Sequence, residues 1–246
     1  MSNKSSCEVR GVCFLVVVLS VLLTCSSVFG SASGLNNIPT TDIVPKNVLV
    51  LQSWVNINPP VQAENYAGFK YGLFEDVEIG IDTKTLGDVH GHTTLQVKKA
   101  FDIEGKKWRG VVGVANISEH REDQGYIFPY VATSYDIDVA RLHFGYAGQK
   151  HNEAFFGGID KMVTFFDRNL QLRADGIHIN DKDDMLFSAG FLYELGFPKS
   201  GVSAQNGLEE FLNNLLKNVI LESWVSKSST GDSETYTIKL NYVIAF

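Results

Sequence analysis

Residues 236–246 read Tyr-Thr-Ile-Lys-Leu-Asn-Tyr-Val-Ile-Ala-Phe, and their spacing decides the fold. Tyr236, Ile238, Leu240, Tyr242, Ile244 and Phe246 place an apolar or aromatic side chain at every second position, with Thr237, Lys239, Asn241, Val243 and Ala245 between them. A period of two is that of an extended strand whose alternate side chains point to opposite faces. A half-buried edge strand in water shows such alternation, and so does a strand with lipid on one side and a lumen on the other. The final aromatic residue and the character of the first thirty residues favour the second.

The same alternation recurs upstream, predicting strands near 48–57, 66–74, 76–84, 91–103, 107–117, 125–135, 137–147, 153–165, 168–179, 184–196, 218–227 and 235–246. About twelve is an even number, as bacterial membrane barrels have. Tight links at Glu75-Asp76, Glu104-Gly105-Lys106, Asp136 and Asp167-Arg168 alternate with longer polar ones at 58–65, 85–90, 118–124, 148–152 and 228–234. Short turns on one rim and longer loops on the other are a barrel trait. Residues 204–217 break the rule: Leu208, Phe211, Leu212, Leu215 and Leu216 recur at helical spacing. The predicted fold is all-β: a single transmembrane antiparallel up-and-down β-barrel of about twelve strands, with one amphipathic helix before the last hairpin.

Residues 1–30 read as a signal peptide, with Lys4 and Arg10 ahead of an apolar run over 12–24 and small residues at Gly30, Ser31 and Ala32. Cleavage after Gly30 or after Ala32 fits; a lipoprotein cut before Cys25 has Thr24 where a smaller residue is usual. Cys7, Cys13 and Cys25 all fall in this segment, so residues 31–246 form a domain held by its core or by sheet closure, without disulfides. Losing Lys4, Glu8 and Arg10 moves the net charge from −7 to −8. That balance argues against a nucleic-acid partner, which needs clustered Lys and Arg.

Residues 236–246 resemble the final strand of outer-membrane barrel proteins generally, which ends in Phe after alternate apolar residues. The resemblance implies location in the bacterial outer membrane, contact with its lipid, and recognition of Tyr236, Ile238, Leu240, Tyr242, Ile244 and Phe246 by the barrel assembly machinery. The stretches IPTTDIVP (38–45), NYAGFKYGLFEDVEIGID (65–82) and FFGGIDKMVTFFDRNLQLRADG (155–176) are similar to the YjbH-type barrels. That family is associated with exopolysaccharide production, which implies a polysaccharide or envelope partner but no active site.

Alternation also sorts the strands by face. Ala67, Phe69, Tyr71, Leu73, Val77, Ile79, Ile81, Ala140, Leu142, Phe144 and Tyr146 are assigned to lipid. Lys70, Glu78, Asp82, Lys98, Arg141, His143, Arg173, Asp175, Glu194, Glu222 and Lys239 are assigned to the lumen. The mixture of signs reads as a network of paired charges rather than a one-sign substrate ladder.

Catalytic and metal motifs are weak. His90 and His92 lack a third ligand. Residues 180–184 have oxygen ligands but not the glycine and glutamate of a calcium loop. His143 or His178 could act as a base, yet no serine stands in a recognisable nucleophile setting. Asn116-Ile117-Ser118 matches a glycosylation acceptor, incidental in a bacterial envelope. No cofactor is expected. The reading is a non-enzymatic narrow channel or envelope component, set against a barrel-embedded lipid hydrolase or acyltransferase and a soluble periplasmic barrel that turns its apolar face inward around a small apolar ligand.

Overall fold

A computed structural model describes residues 34–59, 62–86, 93–105, 107–118, 127–149, 152–166, 168–179, 184–195, 216–231 and 233–246. Twelve strands follow in order: β1 (Val48–Asn58), β2 (Gln62–Phe74), β3 (Val77–Leu86), β4 (Thr93–Glu104), β5 (Trp108–Ile117), β6 (Phe128–Asp136), β7 (Arg141–Gln149), β8 (Asn152–Phe165), β9 (Arg168–Ile179), β10 (Asp184–Glu194), β11 (Val219–Ser228) and β12 (Glu234–Ala245). Each pairs antiparallel with its sequence neighbours. β1 and β12 complete the ring, with Val48 opposite Ala245 and Ile57 opposite Tyr236. Closure leaves no strand edge, so the wall satisfies its own backbone hydrogen bonds, the condition for a sheet in lipid.

Side chains alternate across the wall as the pleat requires. Leu51, Val97, Val112, Val131, Phe144, Phe155, Leu172, Phe187, Ile238 and Leu240 are exposed on the outside. Gln52, Lys98, Ser134, His143, Arg173, Ser188, Glu222 and Asn241 are buried within. The soluble-barrel reading needs the opposite arrangement and is overturned. Near the rim that holds the start of β1 and the end of β12, Trp108 meets Tyr135 edge-on at 6.4 Å, and Phe165 contacts Phe166 at 4.4 Å and Tyr193 at 6.2 Å. Aromatic girdles at the edge of an apolar band mark the membrane interface.

Two sequence expectations are corrected. No helix stands among the elements of the described residues, so the fold class is twelve strands alone. Of the expected helix, residues 204–215 lie outside the described residues, and Leu216 leads through a turn at Lys217 and Asn218 into β11. Helical spacing by itself does not establish an element, because segments under about 12–15 residues are marginal as helices unless their apolar face is covered. Loop sorting is also looser than expected: 137–140 joins β6 to β7 on the rim of short turns, and only 150–151 joins β7 to β8 on the other. Local turn chemistry explains the first, where Asp136 Oδ1 accepts from the Asp138 amide at 2.8 Å and Asp138 adopts φ 66°.

Residues 34–45 run inside the barrel, and the exposed Lys46 and Asn47 lead into β1. Leu35 and Ile38 pack with Ala100, Val111, Tyr130, Ala132, Ala147, Ala154 and Phe156, and Val44 packs with Val48, Val50, Leu192, Ile220 and Val243. About eight strands close around side chains alone, whereas sixteen leave an aqueous channel. Twelve leave room for one length of chain, and this segment takes it.

Two glycines make that room. A Cβ on Gly72 would lie 1.9 Å from the Pro45 carbonyl oxygen, and one on Gly158 would lie 2.6 Å from Leu35 Cδ1. At the outward Gly157 a Cβ meets nothing nearer than 3.4 Å. Gly158→Val is therefore expected to lower the midpoint of thermal unfolding in detergent, by the equivalent of about 1–3 kcal/mol of overpacking. Gly157→Val should stay within about 0.5 kcal/mol of the parent.

Candidate functional site

The lumen is a set of polar networks carried on inward positions of the wall. β9, β11, β12 and β1 build the first. Arg173 donates to Glu222 at 2.7 Å and to Gln171 at 2.9 and 2.6 Å, Asn241 donates to the other Glu222 oxygen at 2.6 Å, and Gln52 donates to Asn241 at 2.8 Å. Lys239 stands 3.7 Å from Glu222 and 5.6 Å from the ring centre of Trp54, which stacks on Tyr66 at 5.1 Å. Charge-assisted bonds of this kind are the strong ones, and a buried charge tolerates its surroundings only when so paired.

β6, β7 and β8 carry the second network, which grips the inner segment. Arg141 donates to both Asp42 oxygens, at 2.6 and 2.7 Å, and to Asp160 at 2.7 Å. His143 Nε2 meets the same Asp160 oxygen at 2.9 Å, and His143 Nδ1 meets Ser134 Oγ at 2.7 Å. Ser134 Oγ also accepts from the Thr41 amide at 3.4 Å. Burial works against the charged form of Asp42, but the Arg141 guanidinium and the Lys98 ammonium outweigh it and hold that carboxyl below the usual carboxylate range.

Smaller anchors complete the grip. Glu78 accepts from the Val44 amide at 2.8 Å, Lys98 donates to the Asp42 carbonyl, and Lys98 lies 4.0 Å from Glu78. Asp175 accepts from the Asn37 amide at 3.2 Å, while the Asn37 side chain donates to Ser188 and, at 2.9 Å, to Ser226.

Of the residues assigned to the lumen from sequence, Lys70, Glu78, Lys98, His143, Arg173, Asp175 and Glu222 are buried, and Asp82, Arg141, Glu194 and Lys239 are half-buried. They fall into separate networks rather than one site. Asp82 accepts from Gln96 at 3.1 Å, and Glu194 accepts from Asn169 at 3.1 Å. In the final strand Tyr236, Ile238, Leu240 and Phe246 are exposed, Tyr242 is half-buried and Ile244 is buried. His90 and His92 lie outside the described residues, as do 180–183.

Sequence reading missed Asp42, Ser134 and Asp160. The last two could have been found by carrying inward parity along β6 and β8. Asp42 could not, because it belongs to no strand. With them, His143 gains both a serine and a carboxylate, the residue types of a hydrolytic triad. Here the imidazole is fully buried, Asp160 is engaged by Arg141, and the serine is covered by the Thr41 amide. The trio holds the inner segment in place.

Open space remains at both ends of that segment. Near the rim of the termini a cavity of about 440 Å³ is lined by Asp42, Asp136, Arg141, Asp160, Lys161 and Glu194, among others. Deeper in the lumen, one of about 390 Å³ takes in Asn36, Lys70, Lys98, Tyr130, Trp224 and Lys239.

The architecture matches solved porins. A KdgM porin in complex with disordered oligogalacturonate superposes with a TM-score of 0.57 at 11% identity, covering 78% of this chain and 98% of that one. A NanC porin gives 0.54 at 10% identity over the same shares. The fold is a twelve-stranded antiparallel barrel like theirs. At these identities the likeness is one of fold. No protein-family profile matches the sequence, and no curated protein matches it.

The Arg173–Glu222 pair makes the wall's dependence on its lumen measurable. Glu222→Ala leaves Arg173 and Lys239 without their shared carboxylate and is expected to cost about 3–5 kcal/mol, read as a lower urea midpoint in detergent micelles. Glu222→Gln, which keeps an acceptor for Arg173, should lose less.

Proposed function

We propose that this chain is an exported, non-enzymatic barrel of the bacterial outer membrane, serving as a narrow channel or envelope component. In this reading residues 1–30 are removed as a signal peptide, and the barrel assembly machinery recognises residues 236–246. The observation that carries it is a closed barrel, apolar outside and polar within, whose bore holds a single chain segment. A bore of that width suits one linear polymer at a time.

The lining favours a saccharide bearing acidic groups. Lys70, Lys98 and Lys239 line the deeper cavity with Glu222 as the opposing carboxylate, beside the aromatic faces of Tyr130 and Trp224. Ammonium groups, amides and aromatic faces together recognise carboxylates, hydroxyls and sugar rings. The oligogalacturonate bound to the KdgM porin and the YjbH-like stretches of sequence both support this ligand class.

Purified protein should shift in gel mobility between unheated and boiled samples and give discrete conductance steps in planar bilayers. Silence across salts and voltages would leave only the envelope role. Oligogalacturonate should quench the fluorescence of the inward Trp54 and Trp224, and a neutral oligosaccharide of equal length should not. Lys239→Gln should weaken that binding about fivefold, the equivalent of about 1 kcal/mol.

A further inference from the structure

The inner segment is attached to the wall unevenly. Its base is fixed by backbone: Asn47 donates to the Gly72 carbonyl at 2.9 Å, Val48 donates to the Pro45 carbonyl at 3.1 Å, and Lys46 bridges to Gly72 in parallel. From Leu35 to Val44, the polar contacts with the wall described above each use a side chain on at least one partner. The segment holds Pro39 and Pro45, which cannot donate to a ladder. It is docked in the lumen without being part of the sheet.

Most wall groups that grip it keep a wall partner of their own; Asp175 is the exception, since one of its oxygens accepts from Asn37 and the other is buried without a hydrogen-bond partner among the described residues. Arg141 has Asp160, Ser134 has His143, and Glu78 has Lys98. Ser188 and Ser226 have each other at 2.9 Å. Removing the segment therefore leaves the wall's ion pairs intact and strands the Asp175 carboxyl alone, so it avoids most of the cost that usually makes breaking an internal ion pair prohibitive. On the segment's side, Thr41 Oγ1 and both side-chain polar atoms of Asn36 are buried without a hydrogen-bond partner among the described residues. Leaving the lumen would give them water. The docked state is thus held by the apolar packing of Leu35, Ile38 and Val44 and by a few polar side-chain contacts, the strongest of these being the two-pronged Asp42–Arg141 pair.

We propose that residues 34–44 form a withdrawable plug, hinged at residues 45–47 and latched by Asp42 on Arg141, so that the barrel has a closed and an open state. The proposal rests on the channel reading for its consequence but not for its test. Asn47, at φ 61°, lies at the hinge where the chain turns from the lumen into β1. Opening joins the cavities at the two ends of the plug into one continuous path.

Thiol labelling tests the movement directly. In a chain whose Cys7, Cys13 and Cys25 are replaced by serine, Thr41→Cys should react slowly with a bulky polar maleimide. Adding Asp42→Ala should speed the reaction at least tenfold while the heat-dependent gel shift, the mark of a folded barrel, is kept. Equal rates in the two backgrounds overturn the latch. Conductance tests the consequence: Asn37→Cys with Ser226→Cys should be closed when oxidised and open on reduction, and Asp42→Ala should be open more often than the parent. An oxidised pair that conducts like the reduced one overturns the plug. A folded variant lacking residues 34–44 that passes no current overturns the channel reading instead, and the labelling contrast still decides whether the plug moves.

Discussion

Pairing of β1 with β12 is the interaction on which the rest of the molecule depends. A sheet surrounded by lipid has no water to satisfy an open edge, so every strand must have two neighbours. Once Val48 lies opposite Ala245 and Ile57 opposite Tyr236, the ring is complete and the pleat sends each side chain either to lipid or to the lumen. The apolar exterior and the buried polar interior are two aspects of this one closure.

Closure also creates the problem that the interior solves. Inward positions carry Lys, Arg, Glu, Asp and His in a space too narrow to hydrate them freely, so they pair. Arg173 with Glu222 binds β9 to β11 across β10, Arg141 with Asp160 binds the neighbouring β7 and β8, and both pairs brace the wall from within. Bracing leaves a gap along the axis, which the chain fills with residues 34–45 in place of larger side chains. Gly72 and Gly158 belong to that solution, because a side chain at either would occupy space the segment needs.

The relation between segment and wall is asymmetric, and this separates it from an ordinary core. Core residues depend on each other, whereas here most of the wall's gripping polar groups, Asp175 excepted, remain partnered when the segment is absent. A structure that closes its own bore with a detachable part can be sealed at rest and permeable on demand without reshaping the sheet.

Alternation made much of this legible in the sequence. The strands of the final structure lie within a few residues of those predicted, because period two is a local property that burial on one face imposes. It placed Arg141, His143, Arg173 and Glu222 on inward positions for the same reason. Networks were not legible: the partners of His143, Ser134 and Asp160, come from neighbouring strands, and register joins them. Helical spacing over 204–217 added no element to the described residues, since periodicity describes a face without saying what covers it.

What the sequence determined by itself is the sheet: strand number, strand faces and the apolar exterior, all products of side-chain order along an extended chain. What only the tertiary structure decided is the content of the lumen. IPTTDIVP has no period and reads as a connecting segment. It becomes the centre of the barrel because the closed ring leaves one space of that width, and because Arg141 stands where Asp42 can reach it.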